Sequence, residues 1–206
     1  EKSNEVIQWA LTRFIEEGQT LARFDHPSIV RVIAVFEAND TAYLVMRYEN
    51  GEPLSTQIPR RKGIAEEQIW PLIDPLLKGL ELVHQAGFIH RDIKPANIFI
   101  REDGSPVLLD FGSAREAIGE VTRTLTTLVS PGYAPIEQYQ QEGGSQGPWT
   151  DIYGMAAPLY RWAFGISPVE AVQRSQSMLE RGVDSLVSPT ALARGSYSSG
   201  FCEFVS

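Results

Sequence analysis

The stretch IHRDIKPANIFI, residues 89–100, places Arg91, Asp92, Lys94 and Asn97 within seven positions, between two apolar runs that read as short buried strands. A half-buried carboxylate, ammonium and amide cost free energy unless each has a partner, so a purely structural loop should not gather them. A charged group is expected between them. Another acid, Asp110, follows eighteen positions after Asp92 in LLDFGSA, 108–114, at the end of an apolar strand. Two carboxylates and an amide carbonyl on loops beside strands are a reasonable oxygen-donor set for Mg2+, which is normally held by one or two carboxylates plus substrate phosphates. Such a metal supplies the missing counter-charge, with Lys94 placed to meet a phosphoryl oxygen.

Outward from this stretch, the apolar positions Val6, Ala10, Leu11, Phe14, Ile15, Leu21 and Phe24 recur at helical spacing, with Ser3 or Asn4 available as a cap. Residues 29–48 hold two β-branched and aromatic runs around Asn39 and Asp40, a hairpin signature, before Gly51 and Pro53 break the pattern. A second helix is predicted over about 65–85, with Ile69, Leu72, Ile73, Leu76, Leu80 and Val83 buried, Pro71 in its first turns and a bend at Pro75. Strands at 98–100 and 107–109 follow, joined by the turn residues EDGSP. The Ser/Thr/Gly-rich stretch 112–148 reads as a long functional loop. Beyond it WTDIYGMAAPLYRWAFG reads as a buried helix interrupted by Pro158, and a further helix is predicted over 168–180.

The composition sets outer bounds. A chain of 206 residues with 43% hydrophobic content fits a soluble globular core. No apolar run approaches the roughly 20 residues of a membrane helix, and the first residues lack the pattern of a signal peptide, so a cytosolic segment is expected. Cys202 is the only cysteine, which excludes an internal disulfide, and with only His26, His84 and His90 besides it, zinc is not expected. A net charge of −8 opposes nucleic-acid binding over most of the surface. Oligomeric state is left open.

HRDIKPAN (90–97), DFG (110–112) and PGYAPIEQY (131–139), in that order, resemble the catalytic, metal-binding and substrate-side loops of the bacterial serine/threonine protein kinase catalytic domain. HPSIV and YLVMRY are similar to the segments leading to the hinge of that family, and GPWTDIYG to the start of the central helix of its large lobe. The resemblance implies an α+β, two-lobe protein-kinase-like fold: residues 1–50 as a residual small lobe and hinge, and 51–206 as a mainly helical large lobe. It implies ATP and Mg2+ as cofactors and Ser/Thr of protein substrates as acceptors. By the same resemblance Asp92 accepts or orients the proton of the attacking hydroxyl, Lys94 neutralises charge on the transferred group, and Asn97 and Asp110 hold Mg2+. Arg91 resembles an arginine that clamps an activation-loop phosphate, for which Thr122, Thr124, Thr126 and Thr127 are candidates. Met46 and Tyr48 fall at the adenine-side hinge, and Glu17 matches the glutamate of the small-lobe helix. His90 has a structural role, Asp151 braces the catalytic loop from below, and Glu137 resembles a buried acid that in the family pairs with a later arginine, which is not visible in this sequence.

The sequence also departs from the family pattern. No glycine-rich phosphate loop or strand lysine precedes the first helix, and the family continues beyond FCEFVS, so the chain reads as truncated at both ends. Arg47 stands where the hinge more often has an acid, and Ser130 where a threonine is commoner before the Pro-Gly pair. Reduced activity is therefore one expectation, and a pseudokinase-like regulatory or interaction module is the alternative reading. A small-molecule phosphotransferase shares the Asp, Asn and later Asp, and is disfavoured by Lys94 and PGYAPIEQY.

Overall fold

The computed structural model describes residues 2–60, 63–111, 129–139 and 145–206. The first helix, α1, spans Lys2–Leu21 and lies across the antiparallel hairpin formed by β1, Val32–Ala38, and β2, Thr41–Met46. It begins earlier than the sequence predicts, so Ser3 and Asn4 lie within its span. Gly18 marks the contact, since a Cβ there would come within 2.8 Å of Val35 and 2.9 Å of Leu44. The hairpin turns through Asn39 and Asp40 at φ 52° and 56°. Asn and Asp tolerate this left-handed backbone because their short polar side chains compensate locally, and the turn matches the twist of the strands. Phe36 and Tyr43, directly opposite each other, stack with ring centroids 5.4 Å apart.

The second sheet orders β3, Gly51–Pro53, β4, Ile98–Arg101, and β5, Pro106–Leu108, as neighbouring antiparallel strands. A short helix α2, Leu54–Gln57, follows β3, and the long helix α3, Glu66–Gln85, packs beneath. Ile69, Ile73, Leu76, Leu80 and Val83 of α3 are fully buried along one face, as their spacing predicts. A bridge from Ile29 to Leu108 stitches the segment before β1 onto the edge of this sheet, with Val30 N–H donating to the Leu108 carbonyl at 3.0 Å and Leu108 N–H to that of Ser28 at 2.9 Å. One apolar core therefore runs from Leu21 and Phe24 through Ile29, Leu80 and Ile98 to Met155 and Trp162.

Helix α4, Pro148–Phe164, passes through Pro158 without interruption, contrary to the expected break. Proline inside a helix costs about 3 kcal/mol. Burying Met155, Leu159, Tyr160 and Trp162, each at 1% exposure or less, returns about 1.5–3 kcal/mol per side chain and outweighs it. The residue four positions before Pro158 is Gly154, which is pressed against Ile93, so the helix is wedged in place there. The next helix, α5, spans Ala171–Arg181, a start three residues later than the predicted 168–180, with 167–170 outside any helix. The remaining α-helices among the described residues are α6, Pro189–Ala193, and α7, Ser199–Phe204. No helix among the described residues is long and apolar enough to cross a membrane.

Candidate active site

The site begins at a buried acid. Asp151, in the first turn of α4 and 1% exposed, accepts the backbone N–H of His90 through Oδ2 and that of Arg91 through Oδ1, both at 2.8 Å. His84, at the last turn of α3, lies with Nε2 2.7 Å from the same Oδ2. A carboxylate only accepts, so His84 presents its Nε2–H there. These bonds secure the chain as it turns through Arg91, whose φ is 67°. On the other side Gln138, in the 3-10 turn Ile136–Tyr139, donates to the Arg91 carbonyl at 2.8 Å.

Beyond Arg91 the chain folds into a turn in which the Asn97 N–H reaches the Lys94 carbonyl at 2.9 Å, and Ser55 N–H ties the Pro95 carbonyl to α2 at 3.0 Å. The turn brings Lys94 and Asn97 back onto Asp92, which is 7% exposed. Lys94 Nζ donates to Asp92 Oδ2 at 2.8 Å, and Asn97 Nδ2 donates to the same oxygen at 2.9 Å and to the Asp92 carbonyl at 2.8 Å. Ser130 Oγ closes the set by donating to Asp92 Oδ1 at 3.0 Å. The buried carboxylate is held by three side-chain donors, two on Oδ2 and one on Oδ1. Beside it is a cavity of about 20 Å³ lined by Arg91, Asp92, Ser130, Tyr133 and Gln138. That is room for one water-sized polar group.

His90 is fully buried, its Nε2 2.9 Å from the Leu109 carbonyl and its Nδ1 accepting from the Asp92 N–H at 3.3 Å. Donor and acceptor needs are met by the neutral ring. Burial pushes the imidazole pKa below its ordinary value, against the pull of Asp151, the Leu109 carbonyl, Asp92 and Asp110. Asp110 itself is exposed, in left-handed backbone at φ 48°, two residues past β5. The Asn97 carbonyl accepts from Leu109 N–H at 2.9 Å, which holds the Asp110 segment alongside.

The donor chemistry fits Mg2+. Asn97 commits its amide nitrogen to Asp92, which leaves Oδ1 as the end a hard cation prefers, and Asp110 offers an accessible carboxylate. Among the described residues no cluster of three or more His, Cys, Asp or Glu could hold a metal on its own. Substrate phosphates and water would have to complete the shell, as is usual for this ion.

The other predicted residues are distributed around this centre. Met46, at the end of β2, is half-buried against the core, and Tyr48, two residues on, is 85% exposed. Glu17 lies half-buried on α1. Glu137 accepts from the Thr150 hydroxyl, at the N-terminal end of α4, at 2.8 Å. Thr150 directly precedes Asp151 at the buried start of α4, which places its hydroxyl in reach of the 3-10 turn. Thr122, Thr124, Thr126 and Thr127 lie outside the described residues. Sequence reasoning missed His84, Gln138 and the part Ser130 plays; Ser130 was legible only as a hydroxyl residue in a threonine position.

This arrangement of an aspartate–lysine–asparagine turn, an aspartate past the neighbouring strand and a central buried helix defines a phosphoryl-transfer type of site on an α+β scaffold. The protein kinase domain family model matches residues 1–196, and the chain belongs to that family. It is 32% identical over 163 residues to the serine/threonine-protein kinase PknA of Mycobacterium tuberculosis, covering 77% of this chain and 38% of that protein. To the probable serine/threonine-protein kinase PknB of Lactococcus lactis it is 29% identical over 161 residues, 78% of this chain and 26% of the relative. The chain thus spans between about a quarter and two fifths of the length of these relatives. Among solved structures, PpkA-294 in its apo form superposes with a TM-score of 0.82 at 37% identity, covering 100% of this chain and 72% of that one. The PknI kinase domain of Mycobacterium tuberculosis, at 21% identity and TM-score 0.69 over 95% of this chain and 70% of that one, supports the fold alone. Kinases of this family work with ATP and Mg2+.

Proposed function

We propose that the protein carrying this chain is a serine/threonine protein kinase that transfers the γ-phosphoryl group of ATP to hydroxyls of protein substrates. The observation that carries the reading is the Asp92 carboxylate, held by Lys94, Asn97 and Ser130 beside a cavity the size of one hydroxyl. In this reading residues 1–50 form the helix-and-hairpin lobe with the hinge, and 51–206 form the large lobe. Met46 and Tyr48 lie on the adenine side, with Glu17 on the small-lobe helix.

Asp92 orients the substrate hydroxyl and accepts its proton as the oxygen attacks. Ser130 and Asn97 keep the carboxylate from rotating away. Lys94, already 2.8 Å from Asp92, sits between that acid and the incoming phosphoryl oxygens and offsets their charge. Asn97 and Asp110 would hold Mg2+, which would supply positive charge to offset the charge that develops on the nucleotide phosphates. Arg91 is the clamp for a phosphate on Thr124, Thr126 or Thr127.

The test is phosphate transfer from labelled Mg·ATP to a generic basic protein by the intact gene product. Asp92→Asn is expected to lower the transfer rate by about two to three decades while leaving the Kd for Mg·ATP within about threefold. If wild type binds Mg·ATP and the variant transfers at the same rate, the catalytic assignment is overturned and a regulatory module takes its place.

A further inference from the structure

The hinge stretch 46–51 is fastened to the far end of the sheet that carries the metal-side residues. Arg101, the last residue of β4, donates from Nε to Glu49 Oε2 at 2.5 Å, with the Arg101 side chain 21% and the Glu49 side chain 9% exposed. One residue on, Glu102 N–H donates to the Asn50 carbonyl at 3.0 Å. Gly51 then pairs in register with Arg101, so close that a Cβ there would lie 2.1 Å from the Ile100 carbonyl oxygen, and only glycine fits. Arg101 is held in turn by Ser105, through its own N–H at 2.9 Å and through Nη1 at 3.2 Å, and Ser105 by Asp103 Oδ1 at 2.6 and 2.8 Å.

The same strand begins directly after Asn97, and its partner β5 ends two residues before Asp110. From Asn97 to Arg101 is four residues of extended chain, about 13 Å. β4 is therefore a strut with the phosphate-side residues at one end and the hinge at the other. We infer that Arg101 is a positioning residue: through Glu49 it fixes the hinge backbone at a set distance from Asn97 and Asp110, so that base and phosphates of one nucleotide are met together. This rests on the proposed nucleotide-binding reading. It assigns to the Glu49–Arg101 pair a role in affinity for the whole nucleotide, separate from chemistry at Asp92. Without the pair, Glu49 would leave its buried place for water, and the hinge would spend only part of its time in the binding geometry. Affinity falls in proportion to that fraction.

The experiment measures the Kd of Mg·ATP and of Mg2+·tripolyphosphate, which lacks the base, for the intact gene product and for Arg101→Gln. The expected result is a Kd for Mg·ATP raised about tenfold, an unchanged Kd for tripolyphosphate, and a raised KM for ATP with kcat within about twofold. Arg101→Lys, which keeps the charge but not the fork, is expected to recover most of the loss. Should Arg101→Gln fail to fold, Glu49→Gln, nearly isosteric, carries the same expectation. An unchanged Kd for Mg·ATP in the variants, or equal weakening of both probes, overturns the inference and leaves the proposed function standing. A wild-type protein that binds neither probe overturns both.

Discussion

Asp92 and Asp110 are expected to serve the same chemistry, yet the fold treats them in opposite ways. Asp92 is 7% exposed, and its two oxygens take three side-chain donors at 2.8, 2.9 and 3.0 Å from Lys94, Asn97 and Ser130. The turn that carries it stands on Asp151, a second buried acid. Asp110 is exposed, on a left-handed residue just past a three-residue strand. The difference tells how the protein has divided its work. On the Asp92 side preorganisation and folding are the same set of bonds, so damage there should appear in stability as well as in rate. On the Asp110 side the carboxylate contributes little to the fold, so damage there should appear in function alone.

Removing the floor of the first region gives the largest expected effect. Asp151→Ala strips acceptors from two buried backbone N–H groups and from His84, each worth about 1–3 kcal/mol when left unsatisfied. A loss of about 3 kcal/mol or more is expected, or a fall in Tm of about 6–12 °C for a chain of this size, together with loss of phosphoryl transfer. Thermal unfolding followed by circular dichroism checks it. A variant whose Tm stays within 2 °C would show that the catalytic turn holds its shape without this acid, and the contrast between the two regions would be lost.

The second region is sharpened by Asp110→Asn. Asparagine accepts a left-handed backbone about as well as aspartate, so the change removes a charge without adding strain. The Tm is expected to stay within about 2 °C, as for other exposed positions. Transfer should drop by about two decades, with the Mg2+ requirement moved to higher concentration. A metal titration of activity and a melting curve on the same sample decide it: a large loss of stability would mean that Asp110 is as much a part of the scaffold as Asp92.

How far these regions could be read from the sequence follows from the distance between partners along the chain. Lys94 and Asn97 sit within five residues of Asp92, and their spacing in one turn announces that they meet. The Asn39–Asp40 hairpin and the apolar face of α3 are legible for the same reason, because each is a local pattern. The bonds that support the site are not local. Ser130 reaches Asp92 across 38 residues, Arg101 reaches Glu49 across 52, and His84 reaches Asp151 across 67. Nothing in the spacing of those residues predicts that they touch. Asp151 as a brace came from resemblance, while its third donor, His84, came only from the packing of α3 against α4. Pro158 misleads a local reading because burial of a whole helix face decides the outcome there. For Glu137 the resemblance names an arginine partner that this sequence does not show, and the bond from Thr150, thirteen residues on, is not part of that pattern.

The smallest expected effect tests whether the first region is held in one protonation state. His90 donates from Nε2 to the Leu109 carbonyl and accepts the Asp92 N–H at Nδ1, so a second proton on Nδ1 would face a donor it now accepts from. Burial lowers its pKa in the folded protein, with the surrounding carboxylates pulling the other way. An unfolded chain protonates this histidine near the ordinary value of about 6.5, while the folded one does so only at lower pH. Wherever the unfolded state binds the extra proton, stability rises with pH. The contribution of His90 is therefore complete above about pH 6.5 and is lost as pH falls below it, down to the lowered folded value, by at most about 1.4 kcal/mol per pH unit. Melting temperatures should be level between pH 7 and 8 and decline below 6.5, before the bulk of the carboxylates titrate. Ring-nitrogen NMR assigns the effect: His90 should remain neutral at pH 6, and an imidazole that titrates at the ordinary value would show that the Asp92 turn breathes enough to admit the proton, so that the two regions differ less than their bonds indicate.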